Sequence, residues 1–204
     1  MDPNRPHSPA AERNRAPLLA VLRAVLPESA DVLEVGAGTG QHADHFSERM
    51  PGWRWWPTNA PAEQATLEAG LAGIERPNLR APAVLDVFGR WPELRFDAVV
   101  SANTAHILSE AGVRALFGGA ASVLRADGRL VLYGPFRRAG RHTAESNARF
   151  DESLRARAPH MGIRDLGEID RWAAAVGLQR IAELAMPANN LTLVFDRRNP
   201  ADES

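Results

Sequence analysis

A short apolar run that ends in three alternating glycines and then turns polar leaves a chain few folds to choose from. Here the run is Val32-Leu33-Glu34-Val35, followed by Gly36-Ala37-Gly38-Thr39-Gly40 and then Gln41-His42. The apolar part reads as a strand covered on both faces, the usual state of a strand in a parallel sheet. The glycines let the chain turn sharply and let a ligand lie against bare backbone. The helix that follows offers free N–H groups to that ligand. Such a strand–loop–helix unit belongs to open α/β sheets, whose ligands bind at the carboxyl ends of the strands. The dinucleotide fingerprint would need glycine at position 41, where the chain has Gln41, and the phosphate-cradling Gly-Lys-Ser/Thr sequence is absent. A pyrophosphate cofactor is therefore disfavoured.

The rest of the chain alternates in the same way. Ser8-Pro9 reads as a helix start, a capping hydroxyl followed by proline in the first turn. Pro17 makes this region a kinked helix or two short ones, and Pro27 ends it. Strands are expected over 32–35, 53–56, 83–87, 96–101 and 130–133. Helices are expected over 41–50, over 61–71 and around Val113 to Leu124, the last stopped by Asp127-Gly128. The stretch 136–164 reads as a long polar loop on the substrate side. Asp165 with Glu168 forms a capping box for a helix that ends at Gly177. Strands over 180–185 and 191–195, joined by a short link, should pair as an antiparallel hairpin.

The expected architecture is a single domain over 1–204. It is α/β and doubly wound, with a mostly parallel seven-stranded sheet, a C-terminal antiparallel hairpin and helices on both faces. Residues 8–27 would form a helical lid and 197–204 a frayed tail.

Composition narrows the function classes. The chain has 204 residues and a formal net charge of -1, so no global field draws it to nucleic acid or to an acidic membrane. No basic stripe with interleaved aromatics supports a nucleic-acid partner. The tryptophans at 53, 55 and 56 read as strand and core residues. With no cysteine there are no disulfides, thiolate metal sites or cysteine nucleophiles. No metal site is expected. No apolar stretch is long enough for a bilayer, and Met1 to Pro9 lacks the apolar run of a secretory signal, so the expected location is the cytoplasm.

The Glu-x-Gly-x-Gly-x-Gly arrangement resembles motif one of the class I S-adenosylmethionine-dependent methyltransferases. Glu34 suits a cationic ligand group, directly or through water. The expected cofactor set is Glu34, Gly36, Ala37, Gly38, Gly40 and His42, with Asn59, Asp86 and Asn103 from later strand ends. Asn59 stands where an acidic residue usually takes the ribose hydroxyls. It either accepts one of those hydroxyls or serves a turn beside Pro57. Asp86 either accepts from the adenine amino group or caps a loop.

The resemblance extends beyond the fold. Ser8-Pro9-Ala10-Ala11-Glu12-Arg13-Asn14, the glycine loop through His42, Ala102-Asn103 with His106-Ile107, and Leu132-Tyr133-Gly134-Pro135-Phe136 form blocks along the chain. Ser146-Asn147 with Phe150-Asp151, Gly162-Ile163-Arg164-Asp165 and Met186-Pro187-Ala188-Asn189-Asn190-Leu191 complete them. In these the chain resembles an uncharacterised methyltransferase-like family found in bacteria and animals. The resemblance implies the methyltransferase fold and S-adenosyl-L-methionine as cofactor. The family usually carries aspartate where this chain has Asn59.

Methyl transfer needs positioning, and a base only when the nucleophile starts protonated. His106 and Tyr133 are the catalytic candidates. His106 either takes a proton or packs in its loop, and Tyr133 either lines the pocket or packs with its hydroxyl tied down. Arg13, Asn14, Arg137, Asn147, Asn189 and Asn190 are the substrate-binding candidates. The leading reading is a methyltransferase acting on a small molecule. The alternatives are a protein methyltransferase and a catalytically silent cofactor-binding protein that acts through partners.

Overall fold

Alternate residues of the first strand serve opposite faces of the sheet. Leu33 and Val35 pack with one cluster, Val32 with another, and every residue of this strand, β1 (Ala30–Val35), is buried. The structure, a computed structural model, describes residues 5–197. Around β1 lie β2 (Trp53–Asn59), β3 (Ala83–Val84), β4 (Phe96–Ala102) and β5 (Leu124–Gly134). The C-terminal pair is β9 (Leu178–Met186) and β10 (Asn190–Arg197). Together they form a seven-stranded sheet in the order β3-β2-β1-β4-β5-β10-β9. β1 to β5 run parallel, and β10 is antiparallel to both of its neighbours.

The helices α1 (Pro9–Val25), α2 (Gln41–Arg49) and α3 (Gln64–Leu71) cover one face. Leu18, Leu22, Phe46 and Leu67 pack there on Val32, Trp55, Val100 and Val131. Helices α4 (Glu110–Val123) and α6 (Leu166–Ala174) cover the other, where Leu116, Phe117 and Ile169 meet Leu33, Val99, Leu132 and Phe195. The doubly wound sheet with its terminal hairpin is the expected one. Neighbouring β1 and β4 are continued by chains that cross to opposite sides, which puts the topological switch point, and the crevice where ligands bind, at their carboxyl ends.

Several elements differ from expectation for identifiable reasons. Ser8 does cap α1, accepting from Ala11 N at 3.3 Å, but Pro17 lies inside one continuous helix rather than between two. The stretch 136–164 is not a loop. It holds β6 (Phe136–Arg138), β7 (Arg141–His142) and the helix α5 (Glu145–Arg157), and β6 pairs with both β7 and β8 (Arg164–Asp165) in a small second sheet. Helix α5 escapes a search for apolar periodicity because its buried face is Asn147, Asp151 and Leu154. The turn at Asp127-Gly128 is real, with φ of 62° at Asp127, but it interrupts the early part of β5 instead of following a helix. The tail beyond 197 lies outside the described residues. Among the described residues no helix is long and apolar enough to cross a membrane.

The crossover from β3 to β4 contains no helix. Its Trp91 instead folds against α4, with Nε1 donating to Val87 O at 3.2 Å. A Cβ placed on Gly119 of α4 would lie 1.8 Å from the Trp91 ring, whereas one placed on Gly118 would meet nothing within 4 Å. Alanine favours a helix over glycine by about 1 kcal/mol. Gly118→Ala should therefore raise the unfolding free energy by up to that amount. Gly119→Ala should lower it by about 1–3 kcal/mol, because the Trp91 ring must leave its seat. Urea unfolding of the two variants checks both signs.

Candidate cofactor and acceptor site

The glycine loop leaves β1 with three left-handed residues, at φ of 76° for Gly36, 58° for Gly38 and 74° for Gly40. Two of them are glycine because the protein itself closes over them. A Cβ on Gly36 would stand 2.5 Å from Thr104 Oγ1, and one on Gly40 would stand 2.7 Å from Leu71 Cγ. Gly38 differs, since a Cβ there would meet nothing within 4 Å. Its backbone is exposed and bare, the property needed where a ligand lies on main chain.

The end of β2 holds this loop. Thr58 O accepts from Gly36 N at 3.0 Å and from Ala37 N at 2.9 Å. Asn59, 2% exposed, closes a paired bond with Gly38: Oδ1 accepts from Gly38 N at 2.9 Å, and Nδ2 donates to Gly38 O at 3.0 Å. The same Nδ2 donates to Glu63 O at 3.0 Å. The structure thus gives Asn59 the task of fixing the loop, and only the second lone pair of Oδ1 is left for a ribose hydroxyl. Asp86 is exposed and turns its Oδ1 to Phe88 N at 3.0 Å, leaving one carboxyl oxygen for a ligand.

Behind the loop runs a buried polar chain. Glu34 is 1% exposed, and its Oε2 accepts from Trp55 Nε1 at 2.6 Å. Its Oε1 lies 3.6 Å from His42 Nδ1, and His42 Nε2 bonds Asn14 Oδ1 at 2.6 Å. Beside the Asn14 carboxamide lies the Tyr133 hydroxyl, which accepts from Asn190 Nδ2 at 3.1 Å. α1 is fastened to the loop at a second point. Gln41 Oε1 accepts from Ser8 N and from Thr39 Oγ1, and Gln41 Nε2 donates to Glu12 Oε2.

This chain ends at a cavity of about 90 Å³. Arg13, Asn14, Asn103, Tyr133 and Asn190 line it, which brings five of the candidate residues together from α1, the ends of β4 and β5, and the start of β10. Backbone strain collects at the same place. Asn103 has φ of 58°, Ala188 59° and Asn189 58°. Alanine gains nothing locally from that conformation, which costs about 1–2 kcal/mol. Strain of this kind is concentrated where the surrounding structure needs a particular backbone course.

Other candidates lie apart from the cavity. Asn147 Nδ2 donates to Asn189 O at 3.0 Å, and Asn189 Nδ2 donates to Ser146 Oγ at 3.2 Å, so these two residues brace the link against α5. Arg137 lies on β6, opposite His142. His106 is 6% exposed, edge-on to Phe150, and its loop is held by the buried Arg164, whose guanidinium donates to Ala105 O and Leu108 O. Burial, with Arg164 and Arg157 nearby, pushes the His106 pKa down to about 4, so its ring is neutral through the physiological range. Two residues were not among the candidates: Gln41, noted only as the residue that breaks a dinucleotide fingerprint, and Thr104, which carries no motif.

Two measurements follow. Asn59→Asp would set a carboxylate oxygen against the carbonyls of Gly38 and Glu63, where an amide now donates. The variant should lose about 1–3 kcal/mol of stability, read as a lower melting temperature. The histidines give a pH dependence of known sign. His106 and His45 both have folded pKa values lowered from 6.5 to about 4, chiefly by burial, so between those pH values the unfolded chain binds more protons. Stability must then fall as pH drops through that window, by up to about 1.4 kcal/mol per pH unit for each histidine. His106→Gln should flatten that slope in denaturant titrations between pH 4 and 6.5, and an unchanged slope would remove His106 as its source.

Comparison with solved structures gives the same fold. The S-adenosylmethionine-dependent methyltransferase SibL, in its apo form, superposes with a TM-score of 0.75 at 21% identity, over 93% of this chain and 56% of its own. An O-methyltransferase family protein from Burkholderia thailandensis gives 0.77 at 16% identity, over 94% and 58%. Human N-acetylserotonin methyltransferase, solved with S-adenosylmethionine, gives 0.76 at 14% identity, over 93% and 53%. The chain thus spans little more than half the length of the solved proteins it matches, and at these identities the likeness is one of fold. A family model matches residues 5–197, nearly the whole chain. The chain belongs to that family, DUF938, described as a protein of unknown function.

Proposed function

We propose that this chain is an S-adenosylmethionine-dependent methyltransferase that acts on a small molecule. The observation that carries the reading is the Gly38 backbone, left-handed, locked by Asn59, exposed and bare, in the loop that leaves the carboxyl end of β1. When bound, the cofactor supplies a methyl group on a positively charged sulfur. Glu34 stands behind the loop and holds His42 and Trp55 rather than facing the crevice directly. The cofactor would rest on the Gly38 backbone, with Gly36, Ala37 and Gly40 setting the course of the loop around it, and the free oxygen of Asp86 is suited to an adenine amino group.

The acceptor would lie above Asn103, Tyr133 and Asn190, under α1 as a lid and beside the β6–β7–α5 segment. A small acceptor fits a site bounded on these sides. The human protein similar in fold is named for the methylation of a small molecule, N-acetylserotonin, which supports the same size class here. The residues act by positioning, with bonds fixed before the acceptor arrives. His106 has the neutral form that a proton acceptor needs, and an acceptor that is already ionised requires none.

Calorimetry with S-adenosylhomocysteine tests the cofactor assignment. Gly38→Ala adds one methyl on the open side of the loop and should weaken binding at least tenfold. Gly73→Ala is the control, since Gly73 also has positive φ, 73°, with nothing within 4 Å of an added Cβ. It should lose a similar amount of stability with binding unchanged. Equal affinity in both variants would refute the assignment.

A further inference from the structure

The hydroxyl of Tyr133 faces a cavity. Its side chain is 3% exposed, and its oxygen accepts from Asn190 Nδ2 at 3.1 Å. The Asn14 carboxamide lies beside it, with its oxygen on His42 Nε2 at 2.6 Å. A phenol oxygen has two lone pairs and one hydrogen, so this hydroxyl can still give a bond while it takes one.

The cavity that this hydroxyl lines carries a cation and no carboxylate. Its lining includes Asn14, Asn103, Asn190 and Arg13. Arg13 lies close enough to Tyr133 to act on its charge, and among the described residues it has no ion-pair partner. Its neighbour Arg15 is paired with Glu12. A cation without an ion-pair partner and a phenolic O–H thus line one small space. At about 90 Å³ the space admits a carboxylate with a carbon or two, since a water takes about 30 Å³.

We propose that this cavity is an oxyanion subsite, in which Tyr133 O–H and Arg13 receive the carboxylate of a small molecule. The rest of that molecule would extend toward the cavity's opening. Two sources share this chemistry: the acceptor, or the amino-acid end of the cofactor. The inference rests on the methyltransferase reading only for the use made of the bound anion, and the binding can be tested alone.

Tyr133 is the chain's one tyrosine, so ring-¹³C tyrosine labelling gives a single reporter inside the cavity. Acetate and acetamide, titrated at constant ionic strength, compare an anion with its neutral isostere. Acetate should move the Tyr133 resonance saturably and acetamide should not. Arg13→Gln, at an exposed position, should weaken acetate at least tenfold while the spectrum stays that of a folded protein. A resonance moved equally by both probes, moved by neither, or moved by acetate with undiminished affinity in Arg13→Gln, would overturn the proposal.

Once acetate binding is established, two nucleosides identify the source. If S-adenosylhomocysteine displaces acetate and 5′-methylthioadenosine, which has no carboxylate, does not, the subsite takes the cofactor's carboxylate. If acetate binds alongside S-adenosylhomocysteine, it takes the acceptor's. Acetate binding together with no calorimetric signal for S-adenosylhomocysteine would support the subsite and refute the methyltransferase reading, so the two fail separately.

Discussion

A carboxyl group buried beneath the ligand loop organises this structure. Glu34 sits among apolar residues of β1, β2 and α2, where an unpartnered polar group costs several kcal/mol. The chain answers with the Trp55 indole on one oxygen and the His42 ring near the other. Each partner then needs a place of its own. Trp55 is fully buried on β2. His42 stacks on Phe46 and turns its far nitrogen to Asn14 on α1. The requirement to satisfy one side chain is passed outward until it reaches Asn14 on α1, beside Tyr133. Networks of this kind are stable only when every member is satisfied, and they rigidify what they join.

The second consequence of this arrangement is that α1 is not a loosely hinged cover. Gln41 joins its first turn to the start of α2, and Asn14 joins its middle to His42 of the same helix. The backbone on which a cofactor would rest and the wall against which an acceptor would rest therefore meet at α1, which the glycine-loop side holds by two bonds. Positioning of this kind is what a transfer reaction between two bound molecules requires.

Much of this could be read from the chain because its signals are local. β1, the glycine loop and α2 are a contiguous run, and the alternation that follows implies a parallel sheet almost without further input. The terminal hairpin was visible in two short apolar runs with a short link. Helix α5 was not, because the side chains it buries are Asn147 and Asp151 with only Leu154 beside them, and polar residues carry no hydrophobic period. The position of Asn59 was legible and its task was not. Nothing in the order of residues says whether a carboxamide at a strand end faces outward to a ligand or back to the amide of Gly38. The cavity shows the same division. Arg13, Asn14, Tyr133 and Asn190 stood out singly, but their convergence depends on α1 lying across the ends of the strands.

The cavity's walls also fix when it can exist. Asn14 comes from α1, and Asn190 opens β10, far along the chain from it. β10 enters the sheet between β5 and β9, although among the described strands it comes last in the order of the chain. Pairings between such distant segments form late, because the closure entropy of the intervening chain opposes them. The site is thus completed only when α1, β5 and β10 have come together. A molecule bound there stabilises the finished fold and none of its precursors.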